Sequence, residues 1–344
     1  MRTKVYGTVG PACYDTEVLV QLFEKGMTGI RINLSHVNLA EVTEWIENIK
    51  IAYAQVKKAN PEQPELEMLI DLIGPEMRLG ELPTERKLKL GDKLTIMAEG
   101  ETNLFDPTEL PVPKPIFEHL EEGTVLLIDD GKIMLEVEEK YGRAAECVVR
   151  REGTLYSEKS IAIPGVVIKT PTLTDRDIEN IRRAKEYGIT GVMLPFVRGK
   201  EDLCNLGGAL EAAGAKDMRV YAKIENELGV QKIGELLPFC DEIVIARGDL
   251  GNSIGLYELP VVQAKIAKVC KAANKPFMIA TQILSTMERA AIPTRAEVSD
   301  IYRAVSEGAA SVILTGETAV GKYPVEAMEC MVKTLQAAEA YLNE

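Results

Sequence analysis

Short runs of β-branched and aliphatic residues, each closed by polar turn residues, alternate along the chain with longer segments whose apolar positions recur every three or four residues. The first kind predicts strands buried on both faces; the second predicts amphipathic helices. Strands are predicted over Lys4 to Gly7, Gly29 to Leu34, Glu67 to Asp71, Gly191 to Phe196, Arg219 to Ile224, Glu242 to Arg247, Phe277 to Thr281 and Ser311 to Thr315. Helices are predicted over Thr16 to Lys25, Leu39 to Val56, Asp175 to Tyr187, Val261 to Ala273 and Glu297 to Glu307. This alternation is the pattern of βα units around a parallel sheet, so the expected fold class is α/β, a TIM-type (β/α)8 barrel.

One stretch breaks the rhythm. Between Asp71 and Thr174 short alternating runs predominate, punctuated by Gly91, Pro107, Pro111, Pro113, Pro115, Gly123, Gly131, Gly142 and Gly153. They predict a small β-barrel domain inserted after the third barrel strand, spanning 82–165, with the barrel formed by 1–81 and 166–344. A domain on two linkers could close over the strand ends as a lid and exclude water.

In such barrels chemistry gathers at the carboxyl ends of the strands, where Arg31, Asn33, Asp71, Lys223, Glu225, Asp249, Thr281 and Glu317 fall. Lys223-Ile-Glu225-Asn226 and Ala246-Arg-Gly-Asp249-Leu-Gly251 place two carboxylates on neighbouring strand ends, where they could share a divalent metal. A buried ion pair between adjacent strands would look similar. Gly316-Glu-Thr-Ala-Val-Gly321-Lys322-Tyr323 matches a phosphate-binding loop up to its last position, where Tyr323 replaces the hydroxyl that would bind Mg²⁺. It reads instead as the eighth barrel loop.

The formal charge of −13 argues against nucleic acid or anionic membrane as a partner, since both require a cationic face. The six cysteines, Cys13, Cys147, Cys204, Cys240, Cys270 and Cys330, lack paired or metal-like spacing and predict reduced thiols. Neither a signal segment nor an apolar run of about 18 residues is visible, so a cytoplasmic protein is expected.

Several separated motifs together resemble the pyruvate kinase family, along nearly the whole chain. They are Thr8-Val-Gly-Pro11-Ala, Arg31-Ile-Asn33-Leu-Ser35-His36, Asp71 with Gly74-Pro-Glu76-Met-Arg78, Ser157-Glu-Lys159, Phe196-Val-Arg198, Lys223-Ile-Glu225-Asn, Ala246 to Gly251, Ala280-Thr-Gln282, Pro293-Thr-Arg-Ala-Glu297 and Thr315-Gly-Glu317-Thr. The resemblance implies transfer of the phosphoryl group of phosphoenolpyruvate to ADP, giving pyruvate and ATP. By the same resemblance, Glu225 and Asp249 would hold Mg²⁺ or Mn²⁺, and Lys223 would neutralise the phosphoryl group in flight. Arg31 would grip the phosphate. The backbone of Gly248 and Asp249, with the Thr281 hydroxyl, would receive the substrate carboxylate, and Glu317 with Thr315 would belong to the proton-relay region. Asn33, Ser35, Asp71 and the Leu72 carbonyl would cage K⁺, while Asn33, His36, Arg78 and Lys159 would face the nucleotide. Glu76 stands where the family's K⁺-dependent members carry glutamate, so K⁺ dependence is expected.

The periphery departs from the family pattern. Leu72-Ile73 stands where Thr-Lys is common, Pro195 replaces a serine, Ala162 an asparagine, and Val37 and Glu41 stand where Gly and aromatic residues are expected near the adenine side. Leu72, Ile73, Pro195 and Glu41 support one alternative, a related kinase acting on another enol phosphate or nucleotide; a second, a non-catalytic phosphoenolpyruvate or metal binder, would be favoured by loss of Lys223, Glu225 or Asp249, all of which are present. Family members usually continue into a further α/β domain beyond the eighth barrel helix, where this sequence ends at Glu344. On that reading the usual tetramer is not expected, whereas a homodimer through the barrel is compatible with the chain.

Overall fold

The computed structural model describes residues 3–35, 37–75, 77–101, 106, 108–129, 131–166 and 168–343. Among them, the strands in chain order are β1 (Lys4–Thr8), β2 (Gly29–Asn33), β3 (Glu67–Asp71), β4 (Arg86–Leu88), β5 (Lys93–Ala98), β6 (Glu109–Val112), β7 (Val125–Ile128), β8 (Ile133–Tyr141), β9 (Ala144–Arg151), β10 (Gly153–Leu155), β11 (Ile161–Ala162), β12 (Gly191–Leu194), β13 (Arg219–Ile224), β14 (Glu242–Ala246), β15 (Phe277–Ala280) and β16 (Ser311–Leu314). The chain divides into two compact units, Met1–Gly74 with Pro171–Arg247 and Pro260–Glu344, and Pro75–Thr170 with Gly248–Leu259.

In the first unit, β1, β2, β3, β12, β13, β14, β15 and β16 close a parallel barrel, with β1 paired to both β2 and β16. β3 pairs directly with β12, and of the segment between them Pro75–Thr170 belongs to the second unit, an insertion between two adjacent barrel strands. Every residue of β12, β14, β15 and β16 is buried, which is why these strands appear in the sequence as apolar runs broken only by Glu242 and Ser311 at their first positions. Tyr6, Leu69, Met193, Tyr221, Val244, Met278 and Ile313 form a core cluster drawn from the strands. Each such side chain contributes roughly 1.5–3 kcal/mol by leaving water.

Several strands stop short of the predicted ends. β12 ends at Leu194, β14 at Ala246, β15 at Ala280 and β16 at Leu314, ahead of Phe196, Arg247, Thr281 and Thr315. The cause is conformational: Phe196 and Thr281 lie at φ 53° and 67°, outside the strand region, and Arg247 opens the helix Arg247–Ile254. The helix predicted over Leu39 to Val56 is divided into a 3₁₀ turn, Leu39–Glu41, and a helix, Thr43–Ala59. Asn38 and Glu41 cap the short turn reciprocally, and Val42 (φ −113°, ψ 26°) breaks the helical path.

At the amino-terminal side of the barrel, Glu67 of β3 accepts from the Lys4 ammonium, the Tyr6 hydroxyl and, at 3.3 Å, the Tyr221 hydroxyl. Arg219 pairs with both Glu67 and Glu242 at 3.3 Å, and the Ser311 hydroxyl donates to Glu242. This network links β1, β3, β13, β14 and β16 on the side away from the strands' carboxyl ends.

In the second unit, β11, β7, β8, β9, β5 and β6 form a six-stranded sheet in that order, and β10 with β4 forms an antiparallel ribbon. Alternate residues of these strands, among them Ile96, Leu110, Leu126, Leu135 and Val149, form their own apolar core. That core is separate from the barrel cluster.

Candidate active site

The barrel brings four of the sequence-predicted residues into one chain of ion pairs. Arg31, near the end of β2, places Nε and Nη2 at 2.8 and 2.7 Å from Oδ2 of Asp71, at the end of β3. Its Nη1 donates to the Thr8 hydroxyl at 3.2 Å. Lys223 of β13 lies 3.2 Å from the same Asp71 oxygen and 2.9 Å from Oε1 of Glu225. The other oxygen of Glu225 accepts the Phe196 N–H at 2.7 Å. Parallel register is what makes this possible, because Asn33 pairs with Asp71 and β13 lies two strands from β3.

The cluster is largely buried: Asp71 and Glu225 side chains are 1 % exposed and that of Lys223 is 14 % exposed. Burial on its own would lower the lysine pKa, but the carboxylates of Asp71 and Glu225 outweigh it and raise the value above the usual one. Lys223 therefore stays an ammonium throughout the physiological range. A fixed positive charge in a low-dielectric pocket suits neutralisation of a developing anion, not proton exchange.

Asp71 also has an oxygen to spare. Its Oδ1 is buried and has no hydrogen-bond partner among the described residues. A buried carboxylate oxygen of this kind calls for a cation or water. Asn33 and Ser35 lie beside it in sequence register, the Ser35 N–H donating to Asn33 Oδ1 at 3.3 Å and the Leu34 N–H to the Asp71 carbonyl at 3.0 Å. With the Leu72 carbonyl these supply only hard oxygen donors, which fits K⁺. Among the described residues no three His, Cys, Asp or Glu side chains are grouped to hold a metal ion.

Thr281 and Gln282 both lie at positive φ, 67° and 53°. For a β-branched threonine this conformation costs about 1–3 kcal/mol and persists only where the surroundings enforce it. Arg247 supplies that enforcement. Its guanidinium donates to the Thr281 carbonyl at 2.9 Å and the Gln282 carbonyl at 3.0 Å, and pairs with Asp300 at 2.6 Å. The Thr281 hydroxyl donates to the Ala280 carbonyl at 2.7 Å. Glu317 is buried, accepting the Leu284 N–H at 3.0 Å and the Thr315 N–H at 2.8 Å.

The remaining predicted residues fall elsewhere or outside the described residues. Asp249 lies in the first turn of the helix Arg247–Ile254, with Gly248 before it, and both belong to the second unit. Arg78 and Lys159 are neighbours in that unit: Arg78 donates to the Glu158 carbonyl at 2.7 Å, and the Leu79 N–H to the Lys159 carbonyl at 2.8 Å. Lys159 pairs with Asp129 at 3.1 Å. His36 and Glu76 lie outside the described residues. Glu41 is occupied in the Asn38 cap, a loop-stabilising contact. Arg247 and Asp177 were given no role by the sequence motifs, although Arg247 lay inside one and Asp177 in a Thr-x-x-Asp capping pattern.

Residues 1–328 match the family described as pyruvate kinase, barrel domain. The chain is 35 % identical to a pyruvate kinase of Clostridium acetobutylicum over 344 residues, covering 99 % of this chain and 71 % of that protein. It is 35 % identical to one of Sporosarcina psychrophila over 348 residues and 38 % identical to one of Geobacillus stearothermophilus over 347. Those alignments cover 99 % and 98 % of this chain but 58 % of each relative, so the chain spans less than two thirds of their length. The barrel, the ordered motifs along it and these likenesses agree: the chain belongs to the pyruvate kinase family.

Proposed function

We propose that the chain transfers the phosphoryl group of phosphoenolpyruvate to ADP, yielding pyruvate and ATP. The observation that carries this reading is the buried Arg31, Asp71, Lys223 and Glu225 chain in a member of this family. The bond from phosphorus to the enol oxygen breaks as one to the β-phosphate oxygen of ADP forms, and the enolate takes a proton at its methylene carbon. Such transfer needs positioning and charge neutralisation above all.

Arg31 and Lys223 would meet the phosphoryl oxygens, exchanging part of their pairing with Asp71 for the substrate. Gly248, Asp249 and the Thr281 hydroxyl would receive the carboxylate, the backbone amides at a helix start being suited to an anion. Glu317, buried with Thr315, would organise the proton-relay region. Arg78, Lys159, Asn33 and His36 are assigned to the nucleotide. Glu225 and Asp249 would hold Mg²⁺ or Mn²⁺, and Asn33, Ser35, Asp71 and Leu72 would hold K⁺; when bound, these cations supply positive charge against the substrate's phosphate and carboxylate.

A second reading, a kinase for another enol phosphate or nucleotide, is favoured by the loop after β3. Ile73 replaces a cation there, and Pro195 packs so closely that a Cβ on Gly74 would meet its ring at 2.6 Å. The discriminating experiment is a pyruvate assay on purified protein with phosphoenolpyruvate, ADP, Mg²⁺ and K⁺, repeated over other nucleoside diphosphates. Pyruvate formation with ADP is expected. No pyruvate with any nucleotide would overturn the proposal.

A further inference from the structure

Asp177 is fully buried near the start of the helix Asp175–Ala184. Its carboxylate accepts the Thr174 N–H at 2.9 Å and the Thr174 hydroxyl at 2.7 Å, while the Thr174 hydroxyl oxygen accepts the Asp177 N–H at 3.1 Å. An ordinary capping box would end there. This one continues: Oδ1 accepts the Ile73 N–H at 2.8 Å and Oδ2 the Gly74 N–H at 3.1 Å, donors 104 and 103 residues away in sequence.

The Ile73 N–H shares a peptide plane with the Leu72 carbonyl. In a trans peptide the two groups point in opposite directions, and no cis peptide bond occurs among the described residues. Holding the N–H on Asp177 therefore turns the Leu72 oxygen to the opposite side. On the preceding residue, the Leu72 N–H is fixed at 3.1 Å on the Met193 carbonyl of β12. The same helix also steadies the loop after β2, with Asn180 accepting the Leu39 N–H at 2.9 Å and Arg176 donating to Asn38 at 3.1 Å.

We propose that Asp177 is a positioning residue for the monovalent-cation cage, clamping the Leu72–Ile73 peptide plane so that the Leu72 carbonyl is held as a ligand. The proposal rests on assigning K⁺ to Asn33, Ser35, Asp71 and Leu72. Its chemistry is that of a group one bond-step behind a ligand, whose removal commonly weakens ion affinity about 10–100-fold.

The test compares wild type, Asp177→Asn, Asp177→Ala and Thr174→Ala by two readouts. One is the K⁺ concentration that half-saturates pyruvate formation; the other is the rise in Tm that K⁺ produces over tetramethylammonium. Both Asp177 variants should raise half-saturation about tenfold or more and blunt the Tm response, with kcat at saturating K⁺ little changed. Thr174→Ala breaks the helix cap and leaves the Ile73 and Gly74 bonds, so it should lower Tm without moving the K⁺ dependence. Wild-type K⁺ half-saturation and Tm response in a folded Asp177→Asn protein would overturn the clamp alone. An equal loss of K⁺ response in Thr174→Ala would reduce Asp177 to a helix cap. A wild-type protein with no K⁺ response in either readout would overturn the cage and the clamp together.

Discussion

Lys223 is held by two carboxylates, so its charge is fixed before any substrate arrives. Lys223→Met should therefore lower kcat by about a hundredfold or more, a loss on the order of 3 kcal/mol of transition-state stabilisation, while Mn²⁺ titration by electron spin resonance stays within about tenfold. Stability should fall as well, by about 3–5 kcal/mol, because Glu225 would keep its burial without its cation while Asp71 would keep only Arg31. Retention of most of kcat would remove the ammonium from the mechanism. The motifs disclosed each member of this cluster but not its connections. Arg247 and Asp177 lay hidden for a related reason: their partners, Thr281, Gln282 and Asp300 for one, Ile73 and Gly74 for the other, are brought to them only by the closed fold.

At the scale of elements, the barrel strands were legible because burial on both faces leaves a nearly continuous apolar run, whereas the helix predicted from Glu297 begins at Arg295, behind a capping box formed by Thr294 and Glu297. Strand ends were less legible, since Phe196 and Thr281 take positive φ and Arg247 opens a helix where the apolar run alone suggests continuing strand. The loop that imitates a phosphate-binding motif is explained by packing. A Cβ on Gly321 would meet the Glu317 carbonyl oxygen at 2.4 Å, so this glycine permits a close backbone approach. Gly321→Ala should cost about 1–3 kcal/mol, read as a lower urea midpoint at unchanged slope. Loss of nucleotide affinity with stability intact would instead favour a phosphate-binding role.

At the scale of the whole molecule, the polar network beneath the barrel predicts a pH dependence. Burial would raise the Glu67 pKa, but the bonds from Lys4 and Tyr6 outweigh it and hold the carboxyl below its ordinary 4.5. A depressed folded pKa gives stability that is present in full above the unfolded value and lost as pH falls through the folded one. Glu67→Gln should thus cost about 1–3 kcal/mol at neutral pH, and the deficit should shrink below pH 4.5, measured as urea unfolding of both proteins across that range. A deficit independent of pH would mean that the charge contributes nothing. Closure of the barrel through β1 and β16, with Lys4 opposite Ser311, also sets a timetable for synthesis. At about 5–20 residues per second, roughly tens of seconds separate the emergence of the two strands from the ribosome. Throughout that interval one edge of β1 presents unpaired backbone groups to the surroundings, so the nascent chain stays open to mispairing there until β16 arrives.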